Sequence, residues 1–429
     1  MKLLIKVSLI SLIFILIGCS KSSKENQIFN ADYPEQFPVV VSNPLDSVRK
    51  DVTVQLDVSS IKEKYPDFNP LAFIVLDEGN ELPSQADNIN SDSGPERIDF
   101  LTDLNPGEKQ NITLRYAKVG VKKREYTKRT QAVLGKKVGY KLVKGEYTGG
   151  RFEDIDSVKV PSDHVAHDAL FRIEGPGWES DLIAYRFYLD SRNRNDIFGK
   201  KVNGLIMQKV GVNDLVSNSK ETYTQMLDWG MDIFKVGESL GIGSIGMWYD
   251  NKVFTVSKTD SVICIIAANG PVRSDVFTKY YGWQVGKEKY NLLSNLSISA
   301  GSRLTEVDLD LTGGEADFCT GLAKHENCVF MKSVNKNSEW GYIALYGKQS
   351  LSGDNLGISV FYKNPDIIKT TEDKDSYIVV LKPANGRLQY YFAAAWEDEP
   401  DGIKNKDEFR SYLNKTVEDL NNPVEVSIK

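Results

Sequence analysis

The sequence predicts a mainly β protein: a small N-terminal β-sandwich, a much larger antiparallel structure after it, and a short C-terminal helix. Three observations lead there. Short runs rich in valine, isoleucine, tyrosine and phenylalanine recur along nearly the whole chain, bounded by glycine, proline and asparagine. Helical periodicity is scarce between them. With 429 residues, the chain has room for two or three domains or one large sheet structure.

Residues 1–18 read as a signal peptide. Lys2 and Lys6 precede the apolar run Leu9 to Ile17, which is too short to span a bilayer as a mature helix but suits a secretory signal. The run ends in Leu16, Ile17, Gly18 and Cys19, which resembles the bacterial lipobox. The implied processing is cleavage before Cys19 and acylation of its thiol, with residues 19–38 as a tether. The expected location is the cell envelope, lipid-anchored and periplasmic. Without Lys2 and Lys6, 51 of the 53 basic groups stand against 59 acidic ones, a formal charge of −8. That balance argues against nucleic acid as a partner.

Residues 39–118 carry "FPVVVSNPL", "DVTVQLDV", "LAFIVLD", "ERIDFLTDL" and "NITLRY", strand-like runs parted by turn residues, and are expected to form the small sandwich. Residues 119–160 form a basic connecting segment. From Lys118 to Arg151 there are eleven lysines or arginines, opposed only by Glu125 and Glu146. Such a strip is either a solvated face or a place for an anionic ligand. Residues 161–429 hold many longer strand-like runs, which imply two large stacked sheets. Near the end, Phe409, Tyr412, Leu413, Val417 and Leu420 share one helical face, so this helix should cap a sheet.

Two motifs carry less than their spacing suggests. "GIGSIG", Gly241 to Gly246, has the spacing of a dinucleotide-binding loop, but turn and strand residues follow it where a helix is required, so a glycine-rich bend fits better. Cys264, in "VICIIA", reads as a core thiol. Cys319 and Cys328 are a possible disulfide pair if the turn between them closes. They could instead join His325 as metal ligands, although a fourth ligand is missing nearby. No metal or organic cofactor is expected.

The chemistry concentrates elsewhere. Two of the three histidines, His164 and His167, sit just before "EGPGWESDLIAYRFYLDSRNRNDIFGKK", Glu174 to Lys201. They could ligate a metal, divide acid and base roles, or be structural. Alternation within the strand puts Tyr185, Phe187 and Leu189 on one face and Arg186, Tyr188 and Asp190, then Arg192, on the other. The first set suits a core and the second a ligand: guanidinium groups pair with an anion, a tyrosine exchanges a proton, and Trp178, beside Glu179, stacks on a sugar ring. A second cluster offers Trp229, Asp232 and Lys235, and a third offers Trp396 and Glu397.

"SNPLD", "DFLTDLNPGE", "KRTQA", "EGPGWESD", "YRFYLD", "DIFGKK" and "WGMDIFKVG" resemble, in order, segments of domain-of-unknown-function family 4861, exported Bacteroidetes proteins associated with polysaccharide degradation. The resemblance implies a mutarotase-like supersandwich. It also implies an oligosaccharide dehydratase, which removes water from the non-reducing-end uronic acid of ulvan-type oligosaccharides to leave a 4,5-unsaturated uronate. The chain departs from the family at "SRNRNDIFG", where a more apolar stretch is expected, and this bears on substrate preference. Such a reaction needs a neutraliser for the substrate carboxylate, a base and an acid. From the residues themselves, Arg186 and Arg192 suit the first role, and His167 or Tyr188, with His164 as alternate, suit the others. A non-catalytic glycan binder, or a glycosidase or polysaccharide lyase, the former using paired carboxylates such as Asp190 and Glu397, are the competing readings.

Overall fold

A computed structural model describes residues 29–88, 94–212, 222–335 and 337–429. The expected signal peptide, residues 1–18, and the expected lipidation site Cys19 lie outside the described residues. The described residues divide into two compact units.

The smaller unit is a two-sheet sandwich. Its five-stranded sheet runs in the order Glu425–Ile428, Glu35–Ser42, Lys109–Tyr116, Phe73–Asp77, Asn80–Leu82, and its three-stranded sheet runs Arg49–Asp57, Arg97–Leu104, Ser84–Asp87. Period-2 patterning builds its core: Phe37, Val39 and Val41 point inward from one strand while Gln36 and Pro38 face water. A short helix, Val58–Lys64, starts at Asp57, whose carboxylate accepts the Ser59 and Ser60 amides. The last strand arrives from the far end of the chain and pairs antiparallel to Val39–Ser42.

The larger unit, Thr127–Pro423, is the expected antiparallel supersandwich. Nine strands form its main sheet, in the order Ser157–Lys159, Ser261–Asn269, Arg273–Val285, Glu288–Ser299, Leu304–Thr312, Arg387–Trp396, Asn355–Lys363, Trp340–Lys348, Cys328–Lys332. One continuous core joins this sheet, through Val276, Leu296, Val307 and Phe392, to two five-stranded sheets. One of them, through Phe318 and Val379, contains Gly246–Tyr249 and Asp317–Ala323. The other, through Trp178, Tyr185, Phe187 and Ile197, runs Gly230–Asp232, Asn195–Lys200, Ala184–Phe187, Gly177–Ser180, Thr130–Val133 and carries the site. The basic segment of residues 119–160 therefore supplies edge strands to two sheets. The C-terminal helix, Lys406–Asn421, lays Phe409 and Leu413 on the opposite face of the main sheet, against Tyr346, Phe361 and Ala395.

The bend at Gly241 to Gly246 leads into a strand and holds no dinucleotide loop. Gly243 has φ +61° and sits so close to Phe392 that a Cβ would lie 2.5 Å from its ring, so only glycine fits there. Cys319 and Cys328 do not pair. All three described cysteines are free, and these two lie on strands of different sheets. Among the described residues, no group of three histidine, cysteine, aspartate or glutamate side chains is placed to hold a metal ion.

Candidate functional site

Strand Ala184–Phe187 turns Tyr185 and Phe187 into the core, as alternation requires. The opposite parity does not face open water: Arg186 is 3% exposed. Antiparallel register sets it directly across from Asp196 on the neighbouring strand. Its Nη2 donates to Asp196 Oδ2 at 2.7 Å and to Asp232 Oδ2 at 2.6 Å, and its Nη1 lies 3.3 Å from the Tyr223 hydroxyl. The rings of Tyr188, Phe198 and Tyr223 lie 5.0 to 5.3 Å from the guanidinium, a cation–π cage. Burial works against the Arg186 charge, but the Asp232 and Asp196 carboxylates outweigh it and hold its pKa well above the usual value.

This placement revises several expectations. Arg186 has its fork filled by protein carboxylates, so it organises the site and does not meet a ligand carboxylate. The Tyr188 hydroxyl donates to Asp196 at 2.6 Å; burial, then the Asp196 charge, push the phenol well above its usual pKa, away from proton exchange near neutrality. Trp178 is fully buried and its indole N–H donates to Thr305 Oγ1 at 2.9 Å, which removes it as a stacking platform. Glu179 is buried too, bound to Lys200 and to the Ile206 and Met207 amides. Trp396 is a core wall whose Nε1 donates to Asp354 at 2.6 Å. Hydrophobic and hydrogen-bonding parts of each side chain are both satisfied by the protein, and alternation alone cannot report that. Trp229 is half-buried with its ring 6.2 Å from Phe198, and Lys235 is exposed with its charge acting on His325.

The regular strand ends at Phe187, and the turn that follows folds Arg192 back over the Tyr188 ring, 3.8 Å from its centroid. Arg192 is gripped by Asp190 at 2.6 Å and by Glu174 Oε1 at 2.7 Å. The same Glu174 oxygen lies 2.8 Å from Nδ1 of His167, and the other Glu174 oxygen lies 3.5 Å from Arg186. His167 itself is open to solvent, with its side chain 74% exposed and its Nε2 3.5 Å from Arg192 Nη1. His164 does not join this group: its buried ring bonds Asp168 at 2.7 Å. Backbone strain gathers here, since His167, Ala169, Glu174 and Asn193 all adopt φ between +43° and +65°.

Behind this mouth, burial and then the neighbouring Asp196 charge push the Asp232 carboxyl up to about 7, with Arg186 opposing. Its Oδ1 is buried and has no hydrogen-bond partner among the described residues. The cluster thus joins an exposed imidazole, a half-buried guanidinium and a carboxyl whose pKa is pushed up to about 7, all tied together through Glu174 and Arg186. Glu174, Asp196 and Tyr223 escaped the sequence reading. Asp196 was within reach of it, because pairing two strands across the Tyr188–Arg194 turn puts residue 196 opposite 186. Nothing in the sequence around Tyr223 marked it.

Fold and site together define an antiparallel β protein with a carboxylate–guanidinium cage opening on a histidine. Residues 41–426 match the family described as Domain of unknown function (DUF4861), and the chain belongs to that family. It is similar to "Uncharacterized protein P7" of Formosa agariphila, 23% identical over 456 residues and 100% of both chains. Among solved structures, a glycosyl hydrolase family 38 protein from Enterococcus faecalis is similar over 97% of this chain, at 10% identity and a TM-score of 0.45. The present chain spans 50% of that protein's length. A candidate aldose 1-epimerase from Klebsiella pneumoniae is similar over 63% of this chain and 88% of its own, at 10% identity and a TM-score of 0.31.

Proposed function

We propose that the protein is a carbohydrate-active lyase that eliminates water from the non-reducing-end uronic acid of an anionic oligosaccharide of the ulvan type, leaving a 4,5-unsaturated uronate. The observation that carries this reading is the 3.5 Å approach of His167 Nε2 to the Arg192 guanidinium at the mouth of the cage. The reaction removes the C5 proton next to the C5 carboxylate, so base and carboxylate neutraliser must be neighbours. In the neutral imidazole, Nδ1–H donates to the Glu174 carboxylate and Nε2 is left as the accepting lone pair. Arg192, already oriented by Asp190 and Glu174, keeps Nη1 turned toward His167 and offers its charge to the substrate carboxylate as negative charge builds up.

In the elimination, the C5–H bond breaks to His167, its electrons form the C4=C5 bond, and the C4–O bond breaks as the oxygen takes a proton and leaves as water. Asp232, with its carboxyl pushed up to about 7 and so largely protonated below that pH, is the proton donor assigned to that oxygen. Arg186, Tyr188 and Asp196 act through others, holding Asp232 and the floor of the cage in place. The location in the cell envelope through a lipidated Cys19 is part of the same proposal.

Incubation with uronate-ended oligosaccharides tests the reading. Dehydration adds the ultraviolet absorbance of an unsaturated uronate and lowers the mass by one water. Shortened sugars would instead identify a hydrolase or a chain-cleaving lyase, and affinity without turnover a binding protein; either outcome removes the proposal.

A further inference from the structure

We propose that Asp168, steadied by His164, is a positioning residue for His167: its carboxylate fastens both ends of the turn that presents the His167 imidazole to Arg192. The effect on turnover rests on the elimination reading above, whereas the placement of the ring does not.

His167 has little of its own to hold it. Its side chain is 74% exposed, and its polar contacts are Glu174 at Nδ1 and Arg192 near Nε2. An imidazole so open to water takes its place from the backbone beneath it. That backbone is unfavourable, because the Asp168 amide donates to the Val165 carbonyl across a turn in which His167 is the third residue, with φ +65°. Glycine is the usual occupant of a left-handed third position, since any Cβ crowds the backbone there. Ala169, two residues on, is left-handed too, at φ +61°. A turn strained at two positions keeps its shape only where its surroundings over-determine it.

Asp168 supplies that constraint. It is only 3% exposed, and its carboxylate accepts the Val165 amide at 2.9 Å on Oδ2 and the Leu170 amide at 3.0 Å on Oδ1. One group therefore ties the chain just before His167 to the chain just after it. Oδ2 also accepts His164 Nδ1–H at 2.7 Å, and the buried His164 ring stands edge-on to Phe171 with 5.0 Å between centroids. Phe171 belongs to the main core, so the link runs from core to turn. Two backbone bonds complete it: the Asp168 carbonyl accepts the Tyr147 amide at 2.8 Å, and the Leu170 carbonyl accepts the Lys137 amide at 2.9 Å. Asp168 and His164 act on the reaction only through the ring they place.

Asp168→Asn keeps the size of the side chain but has one acceptor oxygen in place of two, so it cannot hold Val165 and Leu170 at once. The chain has three histidines, and imidazole signals of 15N-histidine-labelled protein, assigned by replacing each in turn, report the neutral tautomer at alkaline pH. Wild-type His167 should carry its proton on Nδ1, facing Glu174, and in Asp168→Asn the proton should be shared between both nitrogens. On a uronate-ended oligosaccharide, kcat should fall about tenfold to a hundredfold with KM nearly unchanged, the scale of a small misplacement of a reacting group. A second pair of variants decides the matter even if Asp168→Asn does not fold. His164→Asn keeps an N–H for Asp168, whereas His164→Phe keeps a ring against Phe171 without that donor. The first should preserve the wild-type His167 tautomer and the second should lose it. A wild-type tautomer in folded Asp168→Asn or in His164→Phe, or wild-type kcat where the tautomer has moved, overturns the proposal. If the tautomer responds as stated but the wild-type protein eliminates no water, the reaction reading fails while the placement of His167 by Asp168 stands.

Discussion

Two histidines three residues apart lie in opposite environments, and that contrast separates their roles. His167 is exposed and held at one nitrogen by Glu174, so removing its ring disturbs little packing. His167→Ala should leave the thermal transition unchanged and lower turnover at least about a hundredfold, the lower end of a general acid–base contribution. Wild-type turnover in that variant would take His167 out of the mechanism. Asp232 yields a prediction in pH. Its folded pKa of about 7 exceeds its value in the unfolded chain, near about 4, so the native state binds the extra proton between those values. The resulting stabilisation is complete below the lower value and disappears as pH rises through about 7. Denaturant unfolding should therefore show wild-type stability falling from pH 4 to 7, with a flatter profile for Asp232→Asn. If Asp232 is also the acid, turnover declines above about pH 7 as well.

At the scale of the element, the hairpin joining Ala184–Phe187 to Asn195–Lys200 does two jobs with its two faces. One face packs Tyr185 and Ile197 in the main core; the other closes the ion cage. Arg186→Ala should be a folding defect first, because it strands the buried Asp196 and Asp232 carboxylates, at a cost of about 3–5 kcal/mol. A variant of unchanged melting temperature would contradict the cage as described. The preceding turn has a tight constraint of its own: a Cβ on Gly175 would lie 2.1 Å from the Phe187 carbonyl oxygen. Gly175→Ala should therefore destabilise by about 1–3 kcal/mol and displace the adjoining Glu174, weakening both the His167 and Arg192 contacts. Calorimetry together with turnover measurement checks both effects. The C-terminal helix, by contrast, was legible from its apolar stripe, and Asn405 caps it by accepting the Asp407 and Glu408 amides.

For the whole molecule, the supersandwich supplies one core large enough to hide groups that read as surface chemistry. The pair Glu179 and Lys200 is fully buried, and so are the indoles of Trp178 and Trp396. A chain with so many stacked strands can place charged residues at sheet interiors and satisfy them there, which a smaller fold could not do. The proposed lipid anchor at Cys19 predicts behaviour of the whole protein in the cell: if it forms, Cys19→Ala should move the protein from the membrane to the soluble fraction. Retention of that variant in carbonate-washed membranes would count against lipidation.

Strand and helix content, the inward set Tyr185, Phe187 and Leu189, and the capping helix followed from the sequence alone, because periodic burial of apolar groups is a local pattern that the chain carries in its order. The concentration of charged and aromatic side chains between Glu174 and Lys201 is likewise visible in the residue order. Which of those groups meet solvent was decided only by tertiary structure. Arg186 and Tyr188 occupy the ligand-facing parity but end in a buried cage, since their partners Asp196 and Asp232 arrive from neighbouring strands. Arg192 lies beyond the strand, where alternation no longer applies, and a turn carries it to the mouth beside His167. Exposure and ion pairing depend on what the rest of the chain brings alongside, and residue spacing holds no record of that.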